Sequence, residues 1–135
     1  KLLDIGTGTG ILAMYAEKLC GAQTVVTEID PVTIPCIVEN FEINECPPAQ
    51  GILGFLDAFK QAPAFDIILC NMIRTELWPM RTEMETLLNK DGLLLISGQL
   101  LKEKQFILDW FAEVGIVVHH DMSDGEWWAV AGKKV

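Results

Sequence analysis

The chain opens Lys1-Leu2-Leu3-Asp4-Ile5-Gly6-Thr7-Gly8-Thr9-Gly10, and the reading of this stretch decides the rest. An apolar run, Leu2, Leu3 and Ile5, stops at a glycine-rich turn, which passes directly into the helical composition of Ile11-Leu12-Ala13-Met14-Tyr15-Ala16. The order is strand, loop, helix. Glycines in such a loop permit positive φ and leave no Cβ in the way, so a ligand can lie almost on the backbone. The loop reads as a nucleotide-binding seat.

Spacing restricts which nucleotide. A dinucleotide fingerprint is G-x-G-x-x-G, whereas here the third glycine comes one residue early, at Gly10, and Ile11 stands at the fingerprint position. A phosphate-cradling P-loop is excluded, because no Gly-Lys-Ser/Thr follows. The pattern Asp4-x-Gly6-x-Gly8-x-Gly10 resembles motif I of class I S-adenosylmethionine-dependent methyltransferases. The resemblance implies that Gly6, Thr7, Gly8 and Gly10 pass under the methionine part of S-adenosyl-L-methionine and that Asp4 helps hold the site. An ordinary tight strand-to-helix turn would use the same glycines.

At 135 residues the chain is one domain of ordinary size, 1–135, able to bury most of the surface it would expose unfolded. Half its residues are hydrophobic, yet no apolar run approaches the ~20 residues needed to span a bilayer. It opens inside a strand without an initiator Met, so a preceding segment is expected. Ten basic against nineteen acidic residues give a net charge of −9, which repels phosphate backbones and attracts a basic protein partner. No direct contact with nucleic acid or membrane is expected. The four cysteines, Cys20, Cys36, Cys46 and Cys70, show no C-x-x-C spacing, against zinc and against a disulfide framework. Reduced, mostly buried thiols in a cytoplasmic protein are the plain reading.

Beyond the loop, Leu12, Tyr15, Ala16 and Leu19 fall at helical spacing, and Gly21 is a natural C-terminal cap. Thr24 to Thr27 reads as a second strand ending at Glu28-Ile29-Asp30. In a strand-helix-strand unit this strand lies beside the first and ends at the same crevice. An acid about twenty residues past the glycines can accept from ribose hydroxyls through two carboxylate oxygens. Glu28, with Ile29 beside it, is the candidate. Asp30 competes for that role, but with Pro31 it can cap the next helix, Val32 to Ile43, or Pro35 can move the start to Thr33. A short third strand is expected near Gly51 to Phe55, followed by Asp57. The class I resemblance implies that an acid there contacts the adenine amine, while a helix cap or solvated turn acid is the alternative.

The fourth strand, Phe65 to Cys70, is almost continuously apolar, as a parallel strand covered on both faces must be, and it closes at Asn71. Its end should open onto the crevice of Gly6 and Glu28, where an amide offers both donors and acceptors beside a transferring group. A loop-capping role is the alternative. Thr75 to Asn89 reads as one packing helix begun or kinked by Pro79, Leu93 to Ser97 as a fifth strand, and Lys102 to Val114 as a helix with Phe106, Ile107, Trp110, Phe111 and Val114 inward. Ile116 to His120 and Glu126 to Ala131, joined through Ser123-Asp124-Gly125, read as a hairpin. Adjacent His119 and His120 face opposite sides of a strand and cannot chelate one metal. The fold class is therefore α/β, a Rossmann-like, seven-stranded, mostly parallel sheet with a C-terminal antiparallel hairpin and helices on both faces.

Six segments occurring in order carry a narrower likeness: Gly8 to Ala13, Glu28 to Pro31, Glu39-Asn40 with Asn44, Cys70 to Met72, Ser97-Gly98, and Asp124 to Trp127. Together they resemble the catalytic domain of the ribosomal protein L11 methyltransferase family over nearly the whole chain. The resemblance implies a protein N-methyltransferase acting on lysine and N-terminal amines of a ribosomal protein. Gly6 would lie in the cofactor loop, Glu28 at the ribose in place of the usual aspartate, and Asn71 near the methyl as the catalytic residue. It further implies an N-terminal region, absent from residues 1–135, that covers the cofactor and docks the substrate. The loop also resembles that of protein arginine methyltransferases, but their paired glutamates after the fourth strand are replaced here by Asn71-Met72-Ile73-Arg74, with only Glu76 beyond. A small-molecule methyltransferase and a non-catalytic module on the same fold remain open alternatives.

Overall fold

The computed structural model describes residues 1–59 and 65–135. The opening apolar run forms β1 (Leu2–Ile5), buried along its length between two parallel neighbours, β2 (Thr24–Glu28) and β4 (Phe65–Asn71). β3 (Gln50–Leu53) pairs outside β2, and β5 (Leu88–Leu100) outside β4. The hairpin of β6 (Ile116–Asp124) and β7 (Trp127–Lys134) completes a seven-stranded sheet of order β3-β2-β1-β4-β5-β7-β6. β7 slots between β5 and β6, antiparallel to both. The expected mostly parallel sheet with an antiparallel end is therefore present.

Helices lie on both faces. α1 (Ile11–Cys20) and α2 (Ile34–Ile43) pack Ala13, Met14, Ile37 and Phe41 onto Val26. On the other face α3 (Arg74–Leu77), α4 (Arg81–Leu87) and α5 (Lys104–Glu113) join Leu77, Met84, Ile107 and Phe111 to a core with Val25, Ile68 and Ile96. The neighbours Val25 and Val26 serve opposite layers because side chains alternate along a strand. Gly21 closes α1 with φ of 63°, its amide returning to the Glu17 carbonyl. Asp30 accepts from the Val32 amide and, with Pro31, opens a 3-10 turn from which α2 starts at Ile34.

Four local expectations are corrected. The single helix from Thr75 to Asn89 is instead α3 and α4 joined by a 3-10 turn at Trp78–Met80, because Pro79 has no amide to donate. β5 begins at Leu88, five residues early, since Leu88 pairs beside Phe65 and is buried there, and Asp91 at φ of 65° absorbs the irregularity as a bulge within the strand. On α1 the buried residues are Ala13 and Met14, whereas Tyr15 and Leu19 face outward. Of the four cysteines only Cys46 and Cys70 are buried.

The α5 face packs directly on the β7 backbone. A Cβ at Gly132 would stand 2.5 Å from Ile116 Cγ2 and 2.6 Å from Phe111 Cε2. Replacing Gly132 with Ala should therefore destabilise the fold by about 1–3 kcal/mol through overpacking, read as a lower midpoint in urea unfolding. An unchanged midpoint would contradict this close packing.

Candidate active site

A crevice exists because β1 has β2 on one side and β4 on the other. The segment leaving β1 turns to one face of the sheet and the segment leaving β4 to the opposite face, so their carboxyl ends part. The opening measures about 410 Å³. Ile5 and Gly6 form its floor, Glu28 and Ile29 one wall, Phe55 and Leu56 an apolar end, and Asn71, Met72, Glu76 and Met80 the opposite wall. Of the residues singled out from sequence, Gly6, Glu28, Ile29 and Asn71 thus share one cavity. Asp4, Thr7, Gly8, Gly10 and Asp57 are not among its lining residues.

The structure gives those five other positions. Asp4 lies beneath the loop, 1 % exposed, where its Oδ2 accepts from the Thr7 hydroxyl at 2.6 Å and its carboxylate faces the Ala13 amide. Burial pushes the Asp4 carboxyl up to about 6. The Thr7 hydrogen bond and the nearby Ala13 amide offset part of that rise, and the charge of Glu28 adds slightly to it. Thr7 is buried, and its amide donates to the Thr27 carbonyl at 3.0 Å, which ties the loop to β2. Gly10, at φ of 82°, begins α1 and lets it approach α2, since a Cβ would meet the Phe41 ring at 2.9 Å. Asp57 sits exposed in the 3-10 turn Leu56–Ala58, and Phe55 and Leu56 take the wall in its place.

Gly8 and Glu28 are coupled. Glu28 Oε2 accepts from the Gly8 amide at 3.0 Å, and its Oε1 accepts from the Ile29 amide at 2.8 Å and the Asp30 amide at 3.2 Å. A carboxylate has roughly four lone-pair directions. Three are taken by backbone N–H groups, which leaves Oε2 one acceptor direction for a ligand hydroxyl. At Gly6 (φ 63°) any Cβ would run into the Met72 methyl group, so the glycine lets Met72 lie on the loop.

Asn71 ends β4 over Gly98, whose absent Cβ would stand 2.6 Å from Asn71 Oδ1. Gln99, fully buried, donates its amide to the Met72 carbonyl, and its Oε1 has no partner among the described residues. The carbonyl at Met72 is thereby pinned. Beyond Asn71 a second, more open chamber of about 550 Å³ is lined by Ile73, Ser97, Gly98 and Trp127, and it shares Asn71, Met72 and Glu76 with the first. Cys70, just behind, is no nucleophile: burial pushes its thiol up to about 12, with smaller contributions from the charges of Asp4 and Glu76. Reasoning on the sequence missed Phe55, Leu56, Met72, Gln99 and Trp127 as site-forming residues. The one available signal was that Ser97-Gly98 and Glu126-Trp127 are polar or glycine breaks at strand ends.

The family model described as ribosomal protein L11 methyltransferase (PrmA) matches residues 1–135. The chain belongs to the ribosomal protein L11 methyltransferase family. Curated members from Acetivibrio thermocellus and Geobacter metallireducens are 32 % and 34 % identical over 130 and 127 residues, or 96 % and 93 % of this chain. The chain spans 41 % of the length of each. The crystal structure of ribosomal protein L11 methylase from Lactobacillus delbrueckii subsp. bulgaricus superimposes with a TM-score of 0.88 at 26 % identity, covering 99 % of this chain and 69 % of that one. Magnesium protoporphyrin IX methyltransferase from Synechocystis, solved with bound SAM, shares the fold with a TM-score of 0.80 at 14 % identity, covering 99 % of this chain and 69 % of that one. The site described above is thus built on the fold of this family.

The buried Asp4 makes a pH prediction. Its folded pKa, about 6, lies above the ordinary 3.8, so the protonated form is favoured in the fold. That stabilisation is full below about pH 4 and is lost as pH rises through about 6, up to about 3 kcal/mol in all. Relative to Asp4→Asn, the parent protein should weaken from pH 4 to pH 6 and then hold a constant difference. Urea unfolding of both proteins across that interval measures it, and a difference flat with pH would contradict the assignment.

Proposed function

We propose that this chain is the catalytic domain of an S-adenosyl-L-methionine-dependent protein N-methyltransferase, with lysine and N-terminal amines of ribosomal protein L11 as its acceptors. The observation that carries the reading is the union of two chambers at Asn71, one fitted to a nucleoside-bearing cofactor and one open to an incoming chain. The donor set fits that cofactor. A flat base finds an apolar slot between Ile29, Phe55 and Leu56, and a ribose hydroxyl finds the one spare acceptor on Glu28 Oε2. Gly8 has open space where a Cβ would be, so the loop backbone is accessible to a ligand.

When bound, S-adenosyl-L-methionine supplies an electrophilic methyl group on sulfur. The chain's own residues have the task of positioning, which can contribute on the order of 7 kcal/mol or more to such a displacement. The Asn71 carboxamide orients the acceptor amine, which must be neutral to react although a lysine has a reference pKa near ~10.4. Glu76, lining both chambers, can take that proton through water. Ile73 and Trp127, both half exposed, offer apolar surface to the stem of the acceptor side chain.

The net charge of −9 suits a basic partner protein and disfavours nucleic acid as a direct ligand. More than half of each curated relative lies outside the stretch shared with this chain, and we assign docking of the acceptor protein to regions of that kind. Among the described residues no helix is long and apolar enough to cross a membrane. With its free cysteines, this is consistent with a cytoplasmic setting.

Two measurements test the proposal. Calorimetric titration should give binding of S-adenosylhomocysteine and none of NAD. Glu28→Ala should weaken that binding by on the order of 10- to 100-fold, since it removes a charged acceptor and frees Gly8. Mass spectrometry of purified L11 incubated with the protein and cofactor should show added methyl groups. Asn71→Ala should lower kcat by on the order of 100-fold while the cofactor Kd stays within a few-fold. Equal losses in kcat and in cofactor affinity would sink the orienting role, and NAD binding would sink the cofactor assignment.

A further inference from the structure

The second chamber is assembled from three segments far apart in sequence: Ile73 after β4, Gly98 within β5, and Trp127 at the start of β7. The ladders place Trp127 beside Leu100 and Asn71 beside Ser97, but Ile73 lies past the end of β4 and has no strand partner. Three hydrogen bonds outside the chamber tie its segment to that frame. Arg74 Nε donates to Glu103 Oε1 at 2.9 Å, and Glu103 Oε2 accepts from the Leu100 amide at 3.4 Å. One residue on, the Leu101 amide donates to the Glu126 carbonyl at 2.7 Å, immediately before Trp127. The segment Leu100 to Glu103 therefore holds the chamber's near wall through Arg74 and its far wall through Glu126.

This arrangement also accounts for an apolar residue that the helical pattern placed inside. Phe106 is 54 % exposed, and the Arg74 guanidinium carbon lies 5.1 Å from its ring centroid. Arg74 is thus held by a carboxylate and an aromatic face together, in a position where both charged side chains are largely shielded, 30 % and 18 % exposed. A guanidinium suits this site because it is planar and pairs while it stacks. An isolated surface ion pair would be a weak constraint, but this one is partly buried, stacked and continued into two backbone hydrogen bonds.

We propose that Arg74 is a positioning residue for the methyl acceptor: through Glu103 and Phe106 it sets the spacing between Ile73 and Trp127 across the second chamber. The role rests on the methyltransferase reading for its purpose, but its geometry is testable without turnover. A displacement of about 1 Å at such a site is enough to cost on the order of 100-fold in rate.

The test uses 15N-labelled protein, without ligand and with S-adenosylhomocysteine, comparing the parent with Arg74→Met, Glu103→Gln and the double variant Arg74→Glu with Glu103→Arg. The Gly98 amide and the Trp127 indole N–H report the chamber, and the Gly8 amide reports the cofactor crevice. Arg74→Met and Glu103→Gln should shift or broaden the Gly98 and Trp127 signals, leave Gly8 in place, and leave the S-adenosylhomocysteine Kd within twofold. The exchanged pair should return the Trp127 signal toward the parent's. With L11 as acceptor, Arg74→Met should lose on the order of 10-fold or more in kcat/KM for the acceptor, and Arg74→Lys should recover part of it. Unchanged Gly98 and Trp127 signals in Arg74→Met would overturn the proposal. So would equal movement of Gly8, which would make the pair a general stabiliser. A Gly8 signal that ignores S-adenosylhomocysteine in the parent would instead count against the cofactor reading, while the clamp would still stand or fall by the Gly98 and Trp127 signals.

Discussion

Beneath the glycine loop a buried carboxylate faces two donors at once. Asp4 accepts from the Thr7 hydroxyl and faces the Ala13 amide, and so joins β1 to the loop against the first turn of α1. Burying a charge is costly unless it is paired with donors, and here the donor is the hydroxyl of Thr7 in the loop, with a first-turn amide of α1 nearby. The raised Asp4 pKa is the remainder of that cost. The same loop is fixed from the side by Glu28, whose carboxylate receives the Gly8 amide. Two acids thus define the loop, one from below and one from β2, and the crevice keeps its shape because neither is free to move.

This changes how the acidic residues divide their work. From the sequence, Glu28 stood as the ribose acceptor, Asp4 as an acid that helps hold the site, and Asp57 as either an adenine contact or a solvated turn acid. In the fold, Asp4 and Glu28 both tie the loop, Asp57 is an exposed turn residue, and Glu28 commits three of its lone pairs to backbone with one left over. The extra methylene that separates glutamate from aspartate lets this carboxylate reach Gly8 while staying at the end of β2.

The opposite wall follows another logic. Asn71 lies over Gly98, Met72 lies on Gly6, and Gln99 pins the Met72 carbonyl, so two glycines and a buried amide decide where the end of β4 sits. The second chamber then depends on ties from outside, through Arg74, Glu103 and Glu126. Positioning that must be good to a fraction of an ångström is here distributed over contacts of which only a few involve residues that would touch a substrate.

By itself the sequence determined the architecture. Period-two and period-3.6 patterns, the glycine loop, the continuous apolar runs of β1 and β4 and the turn at Gly125 are local signals, and a parallel sheet turned by right-handed crossovers leaves few other ways to bury them. It also brought Gly6, Glu28 and Asn71 to one crevice, because strand ends in such a sheet converge. Only the tertiary structure decided what has no local signature. The insertion of β7 between β5 and β6, the early start of β5 at Leu88, the outward Phe106 under Arg74, and the walls formed by Phe55, Leu56 and Trp127 all depend on partners 20 or more residues away. Pattern tells a side chain which face to take, but the identity of its neighbour is settled only when the chain has closed on itself.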